Sequence, residues 1–233
     1  MNLADKESVS LIANLKKGLR GKINADIVVC PPFTSLLSVS MELKKSGIHL
    51  GAQNMHFMDK GAYTGEISAS MLKELGCEYV IIGHSERRSC FGENDGLINK
   101  KILSAIQNKL IPILCVGERL EQRNGNLQNM AVEGQLINGL KGVNKTNFAV
   151  AYEPVWAIGT GKNATPEQAE GMHCFIREIL NKKYGNAKIK ILYGGSATPE
   201  NAKGLLQQRN IDGLLVGGAS LSAKLFLKII KSA

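Results

Sequence analysis

Short apolar runs alternate with helical patterns along almost the whole chain, and this alternation limits the fold more than any other feature. Seven runs read as buried strands, at residues 26–30, 48–51, 78–83, 111–116, 148–152, 189–193 and 214–216. Between and around them, apolar residues recur at helical spacing over 5–19, 36–43, 71–76, 97–110, 128–140, 165–182, 199–208 and 221–230. Thr165-Pro166-Glu167-Gln168 carries Thr at N-cap, Pro at N1 and Gln at N3, and Thr198-Pro199 repeats the first two signals. Strands that are apolar throughout and joined by helices imply an α/β fold with a buried parallel sheet. Seven strands and eight helices, with a leading helix that no strand precedes, predict a (β/α)8 barrel whose first strand is absent from the sequence. No linker or change of composition divides the chain, so a single domain over 1–233 is expected.

In such a barrel the chemistry sits at the C-terminal ends of the strands. Glu153 ends one strand, and Pro154 behind it pushes it out of the α region, so the carboxylate should point off the strand's end. The following run, Val155-Trp156-Ala157-Ile158, leads into Gly159-Thr160-Gly161-Lys162, whose glycines let the backbone bend or approach an anion. His84 ends another strand, with Ser85 as the expected N-cap of a helix beyond it. A helix N-terminus disfavours an imidazolium, and a neutral imidazole can donate a hydrogen bond to a carbonyl. Gly194-Gly195-Ser196 and Gly217-Gly218 end the last two strands, where backbone N–H groups commonly build phosphate sites. Each signal has a plainer reading: a structural histidine, an ion-paired glutamate, tight turns. Taken together they suggest proton transfer next to a carbonyl on a small phosphate ester.

Composition narrows the classes. The net charge is +9, but the basic residues are dispersed at helix ends and aromatics are only 5%, so no nucleic-acid surface is expected. The five cysteines form no CxxC pair and no cluster with histidine, which argues against a metal site and for a reducing, cytoplasmic compartment. Cys30 and Cys115 lie inside apolar strands, as core thiols do. The charged start MNLADKESVS does not suit a signal peptide, and no run approaches the ~18 apolar residues of a membrane span.

The chain resembles the triosephosphate isomerase family. The likeness is carried in order by Ala52-Gln53-Asn54, the run from Gly61 to Glu66, Gly83-His84-Ser85-Glu86-Arg87-Arg88, Cys115-Val116-Gly117-Glu118, the run from Tyr152 to Gly161, Tyr193-Gly194-Gly195-Ser196 and the run from Val216 to Ser220. The resemblance implies interconversion of dihydroxyacetone phosphate and D-glyceraldehyde 3-phosphate through an enediolate, in glycolysis and gluconeogenesis, with no cofactor. It implies Glu153 as base and neutral His84 as the group that polarises the carbonyl. Gly159, Ser196, Gly217 and Gly218 would hold the phosphate, and residues 154–164 would form a lid that Tyr193 keeps closed near Ala164. The loop carrying Thr64 would insert beside a partner's site in a homodimer.

The resemblance also implies a first strand ending in Asn-x-Lys, whose lysine would pair with Glu86 and stabilise developing negative charge. Neither the strand nor the lysine is in this sequence. The expectation is therefore a start inside a longer natural protein, by about a dozen residues, and poor folding with little or no isomerase activity from these 233 residues. The alternative reading is an impaired or inactive phosphate-binding homologue. An aldolase-type enzyme would need a Schiff-base lysine at a strand end, and the seven strands supply none.

Overall fold

The structure, a computed structural model, describes residues 1–19, 24–157 and 164–233. It opens on helix α1 (Asp5–Gly18), followed by β1 (Val28–Val29), α2 (Leu36–Leu43), β2 (His49–Ala52), α3 (Ala69–Glu74) and β3 (Tyr79–Ile82). Helices α4 (Ser85–Cys90) and α5 (Asp95–Gln107) lead to β4 (Ile111–Val116), and α6 (Leu120–Asn124) and α7 (Gln128–Gly139) to β5 (Ala149–Tyr152). Then come α8 (Pro166–Tyr184), β6 (Lys190–Tyr193), α9 (Ala202–Leu206), β7 (Gly213–Leu214) and α10 (Ala223–Ile230). All seven predicted strands form, and they pair in chain order, every neighbour parallel.

Strand periodicity divides the core in two. Val80, Ile82, Leu114, Val116, Val150, Tyr152, Ile191 and Tyr193 pack with the helices in one cluster. The alternate residues Ile113, Cys115, Ala149 and Ala151 form a second cluster on the opposite face. The second set is small, as the inside of a curved sheet requires. The curvature is visible in the helix layer: α1, before the first strand, packs against α10, after the last. Gly18 lies so close to Leu227 that a side chain there would collide with it. Among the described residues β1 and β7 do not pair with each other, and no helix is long and apolar enough to cross a membrane.

Several local expectations need correction. Ser85 is not the N-cap of α4. His84 is, through its ring Nδ1, which accepts from the Glu86 amide at 3.3 Å, and Ser85 is the first helical residue. The Thr198-Pro199 signal starts only a turn. Asn201 takes the Thr198 amide at 2.8 Å, and α9 begins later, at Ala202. Residues 214–216 pair only as far as Leu214. The Thr165 signal holds, with a full capping box and Pro166 at N1.

Helix α8 sets a buried histidine behind the strand ends. His173 is fully buried, its Nδ1 donates to the Asn210 carbonyl at 3.2 Å, and its ring meets Tyr152 edge-on at 5.8 Å. Burial pushes its pKa down from 6.5 to about 4, against the pull of the Asn210 carbonyl. The neutral ring therefore contributes stability that is complete above pH 6.5 and lost as pH falls toward 4. Over that window the difference amounts to roughly 3 kcal/mol. Urea unfolding at pH 7 and pH 4 should show this share of the acid destabilisation in the parent chain and not in His173→Phe. Equal pH dependence in both would show that His173 does not titrate in this way.

Candidate active site

β3 and β5 deliver the two central groups. Glu153 leaves the end of β5 with its amide bonded to the Val116 carbonyl of β4 at 2.7 Å, and its side chain is almost wholly buried. One carboxylate oxygen, Oε2, accepts from the Ser85 amide at 2.8 Å. The other, Oε1, lies 3.2 Å from His84 Nε2. Because His84 Nδ1 accepts from the Glu86 amide, a neutral ring carries its proton on Nε2, the nitrogen that faces Glu153. Burial raises the Glu153 carboxyl above its ordinary 4.5, and this outweighs the opposing effects of His84, the Ser85 amide and Cys115. The arrangement is a poised base beside an N–H donor, as transfer of a carbon-bound proton next to a carbonyl requires.

The glycines around Glu153 make room for it. A Cβ on Gly117 would overlap the Glu153 carbonyl, and one on Gly194 would stand 2.9 Å from Glu153 Cγ. A Cβ on Gly195 would meet the Tyr193 hydroxyl and come within 3.0 Å of Pro154 Cγ. Gln135 from α7 fixes Gly117 from outside, accepting its amide at 2.7 Å and donating to its carbonyl at 3.0 Å. The sequence suggests a turn or a phosphate cradle at Gly194-Gly195, and it places Gly117 in a family-like run without showing its role or that of Gln135. A glycine directly after β4, beside the glutamate strand, was the one signal available for Gly117.

Glu118 is a further residue that the sequence reading left without a function of its own. It is fully buried, and its Oε1 accepts from Trp156 Nε1 at 2.7 Å, the Tyr152 hydroxyl at 3.1 Å and Arg123 at 3.3 Å. The Arg123 guanidinium also stands 5.3 Å over the Trp156 ring. Trp156 follows Pro154 in a short 3-10 turn, Val155–Ala157. The segment leaving Glu153 is thereby anchored on a buried carboxylate. Burial, and then Glu118, push the Tyr152 hydroxyl far up, so it acts only as a neutral donor.

Tyr193 is buried at the end of β6 and its pKa is raised to about 12 by burial, with the Ala164 amide acting the other way. Ser196 follows on the same turn, its carbonyl accepting from Asn201 at 2.9 Å. The Gly217 and Gly218 backbones are exposed after the neighbouring β7. Gly159 and most of the expected lid, residues 158–163, lie outside the described residues. Glu86 is exposed, 3.9 Å from His84 Nδ1. Thr64 is exposed on the loop after β2, next to Tyr63, whose ring stacks on His56 at 4.2 Å. His84, Glu153 and Tyr193 thus gather on three strand ends, while Thr64 stands on a separate surface loop. Among the described residues no group of three or more His, Cys, Asp or Glu is arranged to hold a metal.

Comparison with known proteins gives one answer along the whole chain. The family model described as Triosephosphate isomerase matches residues 1–233. A curated relative named triosephosphate isomerase from Endomicrobium trichonymphae is 49% identical over 236 residues, covering 99% of this chain and 94% of its own. One from Clostridium botulinum (strain Okra / Type B1) is also 49% identical, covering 99% and 95%. One from Aquifex aeolicus (strain VF5) is 48% identical, covering 100% and 96%.

Proposed function

The chain belongs to the triosephosphate isomerase family, and from that premise we propose how its residues perform the family's chemistry. The activity is isomerisation, interconverting dihydroxyacetone phosphate and D-glyceraldehyde 3-phosphate in glycolysis and gluconeogenesis. We read the curled parallel sheet and its helices as a (β/α)8 architecture, with the reaction at the C-terminal strand ends.

Glu153 removes the proton from the carbon next to the substrate carbonyl. The electron pair of that C–H bond becomes the enediolate double bond, and charge moves to the carbonyl oxygen, where His84 Nε2–H donates. His84 Nε2 gives its proton to that oxygen and takes the hydroxyl proton from the neighbouring oxygen. Return of the carbon proton from Glu153 to the neighbouring carbon completes the isomerisation, so no atom is gained or lost. The backbone N–H groups of Ser196, Gly217 and Gly218, with Gly159 of the lid, hold the phosphate. Tyr193 and the Trp156 anchor set the two ends of that lid, which keeps water from the enediolate. The observation that carries this reading is the 3.2 Å approach of His84 Nε2, after β3, to the buried Glu153 carboxylate after β5, two strands along. The loop bearing Thr64 serves a homodimer, a reading supported by exposed Met58 and Tyr63 beside it.

An assay coupling glyceraldehyde 3-phosphate isomerisation to a dehydrogenase tests the activity, and its pH dependence tests the base. Because Glu153 acts ionised and burial raises its pKa, kcat/KM should fall with acidification through a midpoint above 4.5. A midpoint at or below 4.5 would remove Glu153 as a buried base. A folded chain that binds inorganic phosphate without turnover would favour the inactive-homologue reading.

A further inference from the structure

Arg88 has no part in the chemistry above, yet its guanidinium is largely buried and each of its three nitrogens donates a hydrogen bond. Nε donates to the Gly83 carbonyl at 2.8 Å, Nη2 to the Cys115 carbonyl at 3.1 Å, and Nη1 to Asp95 Oδ1 at 2.6 Å. Its side chain is 16% exposed, and Asp95, in the first turn of α5, offsets its charge.

Those carbonyls lie where the β3–β4 ladder stops. The last registered pair is Ile82 with Leu114. One residue further on, Gly83 turns with φ +76° and takes His84 out of the sheet, while Cys115 continues β4 with its pairing only to Ala151 of β5. Arg88 joins the two strands at that point in place of another rung. A Cβ on Gly83 would stand 3.3 Å from Arg88 Nη2 and 3.0 Å from Ile98 Cδ1, so turn and clamp fit one another. Both linked carbonyls are one residue from a group that sets the site. Gly83 precedes His84, and Cys115 precedes Val116, whose carbonyl holds the Glu153 amide.

We propose that Arg88 is a positioning residue for the isomerisation: its fork fixes the separation of His84 from Glu153 by gripping the ends of β3 and β4 together. The proposal rests on the reading of His84 and Glu153 as the reacting pair. Lysine would keep the charge beside Asp95 but cannot reach both carbonyls with a single nitrogen.

The test compares the parent chain with Arg88→Lys and Asp95→Asn, the second leaving the guanidinium in place without its anchor. Arg88→Lys should lower kcat by about 10²-fold, as a displacement near 1 Å does, with KM within about 3-fold. Asp95→Asn should show a smaller loss in the same sense. In 15N-histidine spectra the His84 ring signals should move in both variants, while those of His49, His56 and His173 stay. Folded variants with kcat within about 2-fold of the parent and an unmoved His84 would overturn the proposal. A merely structural arginine would give that pattern with only a lowered melting temperature. If the parent does not isomerise, the isomerase reading fails by itself. The His84 spectrum then decides the clamp: a shift in Arg88→Lys supports it, and no shift ends it.

Discussion

Glu153→Asp is expected to lower kcat by about 10³-fold while phosphate-analogue binding changes by less than about 3-fold. The substitution keeps the carboxylate and withdraws it by one methylene, roughly 1.5 Å. Elsewhere a backbone could shift to make up the distance. Here the Glu153 amide is tied to Val116 at 2.7 Å, and the Gly194 amide to the Tyr152 carbonyl at 2.7 Å. The Gly117 backbone occupies the space against the Glu153 carbonyl. The strand end therefore cannot advance, and the shortened base stays out of line with the substrate carbon. The measurement is steady-state kinetics together with a dissociation constant for 2-phosphoglycolate. Unchanged turnover would mean that another group takes the proton. Loss of analogue binding in parallel with kcat would mean that Glu153 holds the substrate instead.

The largest expected effect on stability comes from Lys101→Met. Lys101 and Glu93 have side chains only 3% exposed, 2.6 Å apart. Lys101 also donates to Asn54 Oδ1 at 2.8 Å, and Arg87 reaches the same Glu93 oxygen at 2.6 Å. Burial alone would raise Glu93, but Lys101 and Arg87 hold its carboxyl below the usual range. Burial likewise lowers Lys101, and there it outweighs the pull of Glu93. The pair is thus ionised at a high solvation cost, and removing one partner strands the other. The unfolding free energy should drop by about 3–5 kcal/mol, read by denaturant titration at pH 7. Adding Glu93→Gln should restore part of the loss, because the uncompensated charge goes with it. A loss below about 1 kcal/mol in the single variant would show that Arg87 alone satisfies Glu93.

What the sequence disclosed and what it hid follow from the range of the interactions. Strand runs such as 78–83 and 148–152 were legible because burial on both faces makes them apolar throughout, and their polar successors His84 and Glu153 then fall at strand ends. The capping box at Thr165 was legible because it is local. The same local rule misled at Thr198, where Asn201 holds the turn, and at Ser85, where the imidazole itself takes the capping bond. The close approaches of Gly117 and Gly194 to Glu153 join segments that meet only after the sheet forms. The same holds for the Arg88 clamp and for the Glu118 carboxylate under Trp156. No periodicity or capping rule reports such contacts.

The packing of α1 against α10 has a consequence for the order of folding. Every strand pair links segments adjacent in the chain, each made across a crossover of one or two helices. The contact between Gly18 and Leu227 instead closes a loop over nearly the whole sequence. Chain entropy opposes that closure most, since its cost grows with the logarithm of the loop length. The sheet can assemble neighbour by neighbour before the two terminal helices meet. Shutting the helix ring is then the late event, reached only when the curvature of the assembled strands has brought its ends within reach.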